Sequence, residues 1–154
     1  MDFDLTEEQV QLRDAARKLA QHEFRDKAAR WDRDETFPEE NKHRLAELGY
    51  LGLSVDREFG GSGAGLVSTY LVIEELAKVD LLTAMIVHDQ NVSPRIIANH
   101  GSDELKRRLV PRFVTGELEC SIAWTEPQAG SDGTAIRTAA VRDGDEYLIN
   151  GSKI

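Results

Sequence analysis

The amino-acid sequence predicts a mainly α-helical fold that ends in the first strands of a β domain. Three observations predict it. Apolar residues recur at helical spacing through residues 1–117, helix start and stop signals divide that region, and β-type segments follow Gly116. We therefore expect an N-terminal helical domain over residues 1–117 and the beginning of a β domain over residues 118–154.

The first helices are predicted from their end signals. Residues 6–9 read Thr-Glu-Glu-Gln, a capping box that starts a helix. The charged run 25–35 is expected to be a solvated helix end or a connection. Pro38 suits a first helical turn, and Gly49 is placed to end the helix that follows it.

Further helices are predicted along the rest of the first domain. One covers about 66–79, and another covers about 82–91. Pro94 then opens a separate short segment. The last helix begins at 102–104 with acidic residues and carries basic residues later, the polarity that a helix dipole favours.

The β region is predicted from alternating segments and turn residues. Strands are expected over 119–125, 138–141 and 147–149, with a turn at 143–145. Asn150-Gly151 is typical of a hairpin turn, which would lead residues 152–154 into a fourth strand.

Composition restricts the class of partner. The formal net charge is −9 over 154 residues, so we expect neither free nucleic acid nor an anionic membrane as a partner. The start lacks a leader-like pattern and no apolar run is long enough to span a membrane, which predicts a cytoplasmic protein. Cys120, the single cysteine, excludes an intrachain disulfide and is expected to be a buried, small apolar residue.

Two candidate sites fail on their patterns. The glycine-rich run 60–65 has Leu66 where a dinucleotide fingerprint needs glycine and a phosphate loop needs lysine, so we interpret it as a flexible connection between helices. The four histidines show no metal-ligand spacing with each other or with the cysteine, so no metal site is expected.

The segment 123–133 is the strongest candidate site. Gly130 and Gly133 allow backbone conformations that direct successive N–H groups at an anion, and Ser131 adds a hydroxyl. Thr125 offers polar groups to a heterocycle, and Trp124 offers a ring surface. Gly-Ser-Asp-Gly is equally typical of an ordinary turn, so the residues alone leave a cofactor loop and a plain turn equally supported.

Residues 125–132, Thr-Glu-Pro-Gln-Ala-Gly-Ser-Asp, closely resemble the signature of acyl-CoA dehydrogenases. The similarity covers essentially the whole chain in order. Further matching segments are residues 4–9, 45–49, 60–63, 74–77 and 142–153.

The resemblance implies FAD-dependent α,β-dehydrogenation of an acyl-CoA, as in fatty acid metabolism. In that family a glutamate removes the α-proton, the β-hydrogen leaves as hydride to FAD, and electrons pass to electron-transferring flavoprotein. Thr125 resembles the residue that hydrogen-bonds the isoalloxazine, with the backbone of Ile122, Ala123 and Trp124 beside it. Gly130 and Ser131 resemble contacts to the FAD pyrophosphate and the CoA part of the substrate. The acyl pocket is expected to include Ile86, Val87 and Gln90.

Two departures qualify the resemblance. Trp124 is bulkier than the family's usual residue there, which predicts unusual packing at the flavin edge. The resemblance implies that the strands here open an antiparallel, β-barrel-like domain. The family continues beyond Ile154 with more of that β domain and a C-terminal helical bundle, which carries the glutamate base, much of the adenosine site and the tetramer core. We therefore expect this chain to be a fragment that is inactive alone. The full-length protein is expected to be a homotetramer, or a companion chain is expected to supply the C-terminal bundle. Glu126 is expected to be structural.

Two other interpretations stay open. Acyl-CoA oxidases and flavin-dependent monooxygenases have the same architecture and different chemistry. A non-catalytic helical interaction module would keep the helical domain without needing the signature loop.

Overall fold

The computed structural model describes residues 3–154 and divides into two compact units, the first ending at Cys120 and the second running from Ser121 to Ile154. The first unit contains the helices α1 (Glu7–Leu19), α2 (Arg25–Asp34), α3 (Glu39–Glu47), α4 (Gly65–Ala77), α5 (Leu81–His100) and α6 (Asp103–Val114). The second contains the strands β1 (Ala139–Asp143) and β2 (Glu146–Asn150). The predicted fold class is confirmed. Across residues 3–154, no helix has the length and apolar character needed to cross a membrane.

The first helix begins as the sequence predicts. Gln9 N donates to Thr6 Oγ1 over 3.2 Å, and Thr6 N donates to Gln9 Oε1 over 3.0 Å, which completes the capping box. A π-helical turn, Ala20–Phe24, joins α1 directly to α2. The charged run is therefore an exposed helix rather than a connection, and Glu35 ends it with a left-handed φ of 49°.

Helix α5 corrects the prediction of two helices separated at Pro94. It runs unbroken from Leu81 to His100 with Pro94 buried inside it. An interior proline costs a helix about 3 kcal/mol. Packing on both sides of the proline offsets this cost: Val87 is in the main core, while Ile97 packs against the second cluster of Val55, Val110 and Val114.

A buried asparagine joins α5 to the chain after α3. Ser54 N donates to Asn91 Oδ1, and Asn91 Nδ2 donates to Tyr50 O, each over 2.9 Å. Ser54 Oγ donates to Asn91 O over 2.9 Å. Because buried polar groups are costly unless paired, this satisfied network fixes the position of α5.

The glycine-rich loop 60–65 is a hydrogen-bonded connection. The backbone N–H groups of residues 62–64 donate to carbonyl groups within residues 52–55 over 2.7–2.9 Å. A Cβ at Gly61 would lie 2.1 Å from Val55 O, so only glycine permits this close approach. The donors that a phosphate would need are already used.

The β unit contains one antiparallel hairpin. Val141 pairs with Leu148, and Gly144 takes a φ of 61° in the turn, as predicted. The predicted strand over 119–125 is absent, because within the described residues this extended segment has a single backbone contact of the ladder type, Ile154 N to Thr125 O at 2.9 Å.

The predicted turn at Asn150-Gly151 is also wrong. A type I′ turn needs positive φ at both central residues, and neither residue has it. Strand β2 ends at Asn150, and residues 151–154 continue without a strand. Gly151 is required for another reason: a Cβ there would lie 2.0 Å from Thr138 Oγ1.

Candidate functional site

The centre of the second unit is the buried carboxylate of Glu126, which is 3% exposed. Its Oε1 accepts from Thr138 N over 3.0 Å, and its Oε2 accepts from Arg137 N over 2.8 Å. Lys153 Nζ lies 2.9 Å from Oε1. The Thr138 hydroxyl beside the carboxylate, the Arg137 N–H and Lys153 hold the pKa of Glu126 well below its usual range.

This carboxylate fixes a tight turn. Glu126 N and Ala129 N each donate to the other residue's carbonyl oxygen over 3.0 Å, which folds the chain over Pro127 and Gln128. The Gln128 amide donates to Glu126 Oε2 over 2.5 Å. Each carboxylate oxygen and both backbone groups of Glu126 bond to backbone, and the carboxylate also contacts the Lys153 and Gln128 side chains, which supports the structural role predicted for it.

The turn leaves Thr125 exposed at its start. Thr125 O accepts from Ile154 N, and Lys153 Nζ donates to Trp124 O over 3.0 Å. The Thr125 N–H and hydroxyl have no partner among residues 3–154. Beside them, Ile122 and Ala123 are exposed, and Trp124 is 59% exposed. Free backbone donors and acceptors, a hydroxyl and an indole ring suit the edge and face of a flat heterocycle.

The loop after the turn offers a second set of donors. The N–H groups of Gly130 and Ser131 have no partner within the described part of the chain. A Cβ at Gly130 would meet nothing within 4 Å, so the space beside it is open. Asp132 Oδ1 accepts from Thr134 N over 3.0 Å and so starts a short 3₁₀ turn.

The geometry of these donors differs from the predicted nest. A nest alternates right- and left-handed residues, and neither Gly130 nor Gly133 has a positive φ. The loop therefore presents separate exposed donors, with the Ser131 hydroxyl beside them, instead of one preformed anion cup. Donors of this type fit a phosphate group that is also held from other directions.

The predicted substrate residues lie in the first unit, on α5. Ile86 and Gln90 line a cavity of about 100 Å³, together with Phe37, Met85 and Cys120. Gln90 Nε2 donates to Leu118 O over 2.9 Å, which fixes its amide. Val87 is fully buried in the main core and does not line this cavity.

Cys120 also lies at this cavity and is partly rather than fully buried. Its thiol donates to Asp89 O over 3.2 Å. Burial raises the pKa of the Cys120 thiol, so it stays protonated and weakly reactive at neutral pH. No group of three metal-ligating side chains occurs among residues 3–154, and the histidines accordingly form no such cluster.

A larger apolar groove of about 530 Å³ lies near the start of α5 and contains none of the predicted site residues. It shares Leu82 and Met85 with the smaller cavity and is otherwise lined by residues such as Trp31.

The sequence interpretation missed the residues that support the loop. Lys153 lies 27 positions after Glu126, and no periodicity or turn signal links the two. It also missed Lys42, a buried lysine at the α5 cavity. The only available signal was its position beside Asn41 and Leu45 on the buried face of α3.

Comparison with known proteins then identifies relatives along the whole chain. Residues 6–117 match the family "Acyl-CoA dehydrogenase, N-terminal domain". The chain is 38% identical over 155 aligned positions to the acryloyl-CoA reductase (NADH) of Anaerotignum propionicum, covering 99% of this chain and 39% of the relative. It is also 38% identical to the short-chain specific acyl-CoA dehydrogenase of Clostridium acetobutylicum, covering 100% of this chain and 41% of that protein.

Solved structures have the same fold. A glutaryl-CoA dehydrogenase from Mycobacterium smegmatis, in complex with FADH2, aligns with a TM-score of 0.88 and 29% identity over 97% of this chain and 39% of that chain. A chain of the structure described as the electron transferring flavoprotein of Acidaminococcus fermentans aligns with a TM-score of 0.87 and 34% identity, over 100% of this chain and 41% of that chain. The chain therefore spans about two fifths of the length of the relatives it matches.

Proposed function

Because the chain belongs to the acyl-CoA dehydrogenase N-terminal domain family, we propose that it forms the N-terminal part of an FAD-dependent acyl-CoA dehydrogenase. The observation that carries the proposal is the loop held by Glu126, which exposes unpartnered donors at Thr125, Gly130 and Ser131. Since the chain spans only part of its relatives, the activity, substrate and partners of the whole protein belong to this proposal.

The proposed cofactor contacts come from the family resemblance, and the exposed groups support them. The Thr125 hydroxyl and the backbone of residues 122–125 hydrogen-bond the isoalloxazine, while the Trp124 ring packs at its edge. Gly130 and Ser131 hold the pyrophosphate, and Ser131 also meets the CoA portion of the substrate. The FADH2 bound to the Mycobacterium smegmatis relative supports a flavin as the ligand.

When bound, the flavin supplies a hydride acceptor for the β-hydrogen of the acyl thioester. Within this chain, Ile86 and Gln90 line the acyl cavity, and Val87 supports it from the core. The α-proton needs a separate base. Glu126 does not fit that role, because it is buried, paired with Lys153 and occupied by backbone N–H groups.

We propose that the base lies outside these 154 residues, and that the chain alone neither retains FAD nor turns over acyl-CoA. The test is flavin absorbance after gel filtration of the isolated chain, followed by dye reduction with butyryl-CoA. Tight flavin retention with dye reduction would contradict this part of the proposal.

The cofactor loop itself is tested in a chimera. These 154 residues replace the matching segment of the Clostridium acetobutylicum dehydrogenase, and FAD binding and butyryl-CoA oxidation are measured. We expect both activities, and at least about tenfold weaker FAD binding in the variant Thr125→Val, which lacks the hydroxyl. Thr36→Val, at an exposed threonine of the first unit, is the matched control.

The same chimera separates the alternatives. Oxygen consumption with peroxide formation would indicate an acyl-CoA oxidase, and incorporation of oxygen into a substrate would indicate a monooxygenase. The acryloyl-CoA reductase relative is the reason to assay the reverse reaction as well. Failure to bind FAD at all would favour a non-catalytic helical module.

The proposed electron acceptor is electron-transferring flavoprotein, which the Acidaminococcus fermentans structure supports as a partner type. We further propose that the complete protein is a homotetramer, or that a companion chain supplies the C-terminal bundle. A cytoplasmic location and a role in fatty acid metabolism stay predictions from the sequence.

A further inference from the structure

The cavity beside Ile86 and Gln90 has a charged wall. Lys42 and Glu119 line it, and the Lys42 ammonium hydrogen-bonds the Glu119 carboxylate. The lining also includes the apolar side chains of Leu82, Met85 and Ile86. An acyl group in this cavity would therefore meet both hydrocarbon and an ion pair.

Lys42 is buried and ion-paired. Its side chain is only 10% exposed, and its Nζ lies 3.2 Å from Glu39 Oε2 as well as beside Glu119. A buried ammonium is tolerated when carboxylates compensate its lost hydration. The hydrogen bond to Glu119 raises the pKa of Lys42, so the group stays cationic.

The charge balance around the cavity is negative. Lys42 is the one cation among the lining residues that the structure describes, and it is paired with two carboxylates. A third carboxylate, Asp89, also lines the cavity and contacts His88, with 2.9 Å between Asp89 Oδ1 and His88 Nδ1. An acyl group that ends in a carboxylate would therefore meet no unpaired cation among these lining residues.

We infer that the Lys42–Glu119 ion pair determines the substrate class of the α5 cavity, admitting short, uncharged acyl groups and rejecting acyl groups that end in a carboxylate. This inference rests on the proposed function, because it assigns the cavity to the acyl group. It makes Lys42 and Glu119 specificity-determining residues. Neither residue takes part in the chemical step.

The test removes one of the two carboxylates that pair with Lys42. In the chimera, Glu119→Gln leaves the ammonium with Glu39 as its remaining carboxylate partner. We expect the ratio of kcat/KM for glutaryl-CoA to that for butyryl-CoA to rise about tenfold. The reason is that removing one negative charge beside the cavity weakens its repulsion of the glutaryl carboxylate. Glu119→Ala, which leaves the same cation without an amide, is a second variant in case the first folds poorly.

Two matched variants isolate the cause. Glu117→Gln, at an exposed carboxylate that pairs with Arg112 away from the cavity, should leave the ratio unchanged. The double variant Lys42→Met with Glu119→Gln retains the original charge balance but has no ammonium, so it should abolish the gain.

Each outcome decides the inference. An unchanged ratio in both Glu119 variants, with butyryl-CoA oxidation retained, would overturn it and leave the proposed function standing. An equal rise in Glu117→Gln would also overturn it, because the effect would then be a general charge effect. A chimera that binds FAD but oxidises neither thioester would overturn the proposed function, and this inference with it.

Discussion

The two units each contain a buried glutamate with a lowered pKa, and the two carboxylates have different kinds of partner. In the helical unit, Glu75 on α4 accepts from the Arg17 guanidinium over 3.0 and 2.9 Å and contacts Lys78 at 2.9 Å. In the β unit, Glu126 is held mainly by backbone N–H groups and by Lys153.

The different partners give the two carboxylates different roles. Because Arg17 is on α1, Glu75 links α1 to α4 through an ion pair. The Arg17 guanidinium is half exposed, so water can hydrate it when the carboxylate is removed. Glu126 instead holds peptide groups 11 and 12 residues further along the chain. One carboxylate links two helices, and the other holds the conformation of the loop that we propose as the cofactor site. Removing each should therefore change a different property.

The largest expected effect is that of Glu126→Gln. The amide places a donor where two partly buried backbone N–H groups need acceptors, so at least one N–H loses its partner. In the chimera we expect FAD affinity to fall at least about tenfold, measured by flavin titration, while the helical unit keeps its circular dichroism.

Glu146→Gln is the control, because Glu146 is exposed on β2, where its backbone lies opposite Asp143 in the hairpin register. Wild-type flavin affinity in Glu126→Gln would show that the carboxylate does not organise the cofactor loop.

A smaller effect is expected for Glu75→Gln. This substitution removes the carboxylate shared by Arg17 and Lys78, but both cations remain partly hydrated. We expect a loss of about 1 kcal/mol in the free energy of unfolding, by urea titration, with flavin affinity unchanged. Glu74→Gln, at an exposed carboxylate 2.8 Å from Lys78 Nζ, should cost less. A loss of flavin affinity in Glu75→Gln would contradict the separation of roles.

The smallest expected effect is a pH dependence of the contribution that Glu75 makes to the free energy of unfolding. The hydrogen bond from Arg17, with help from Lys78, lowers the pKa of Glu75 from 4.5 to about 2. A lowered folded-state pKa means that the stabilisation is complete above the unfolded value and is lost as the pH falls from about 4.5 to about 2. The stability difference between wild type and Glu75→Gln should therefore shrink over that range, measured by urea titration at successive pH values. A difference that stays constant down to pH 2 would contradict the assigned pKa.

Much of the local structure follows from neighbouring residues, and the sequence predicts it correctly. Thr6 and Ser102 each accept a backbone hydrogen bond three residues further on, which starts α1 and α6. Gly144 supplies the left-handed residue of the hairpin turn. These features depend on contacts within a few residues, so they are readable without the fold. The signature loop was located in the same way, by its composition and by its similarity to a known family.

The candidate loop depends on contacts that local sequence does not contain. Its residues Thr125, Gly130 and Ser131 stay predicted site residues, and the conformation of the loop is held by a carboxylate, a lysine and two peptide groups that are distant in sequence. The glycines permit a left-handed nest, but the fold does not use one.

The sequence by itself determined the helices that begin at capping residues, the hairpin turn and the family of the chain, because each depends on local backbone preferences or on a continuous motif. Only the tertiary structure decided that α5 continues through Pro94, that Gly151 accommodates Thr138, and that Lys42 is buried between two carboxylates. For Pro94, packing on both sides of the proline outweighs a local cost of about 3 kcal/mol. In the other two cases the contact joins residues that are distant in sequence, Gly151 with Thr138 and Lys42 with Glu119, so no short window of sequence contains both partners.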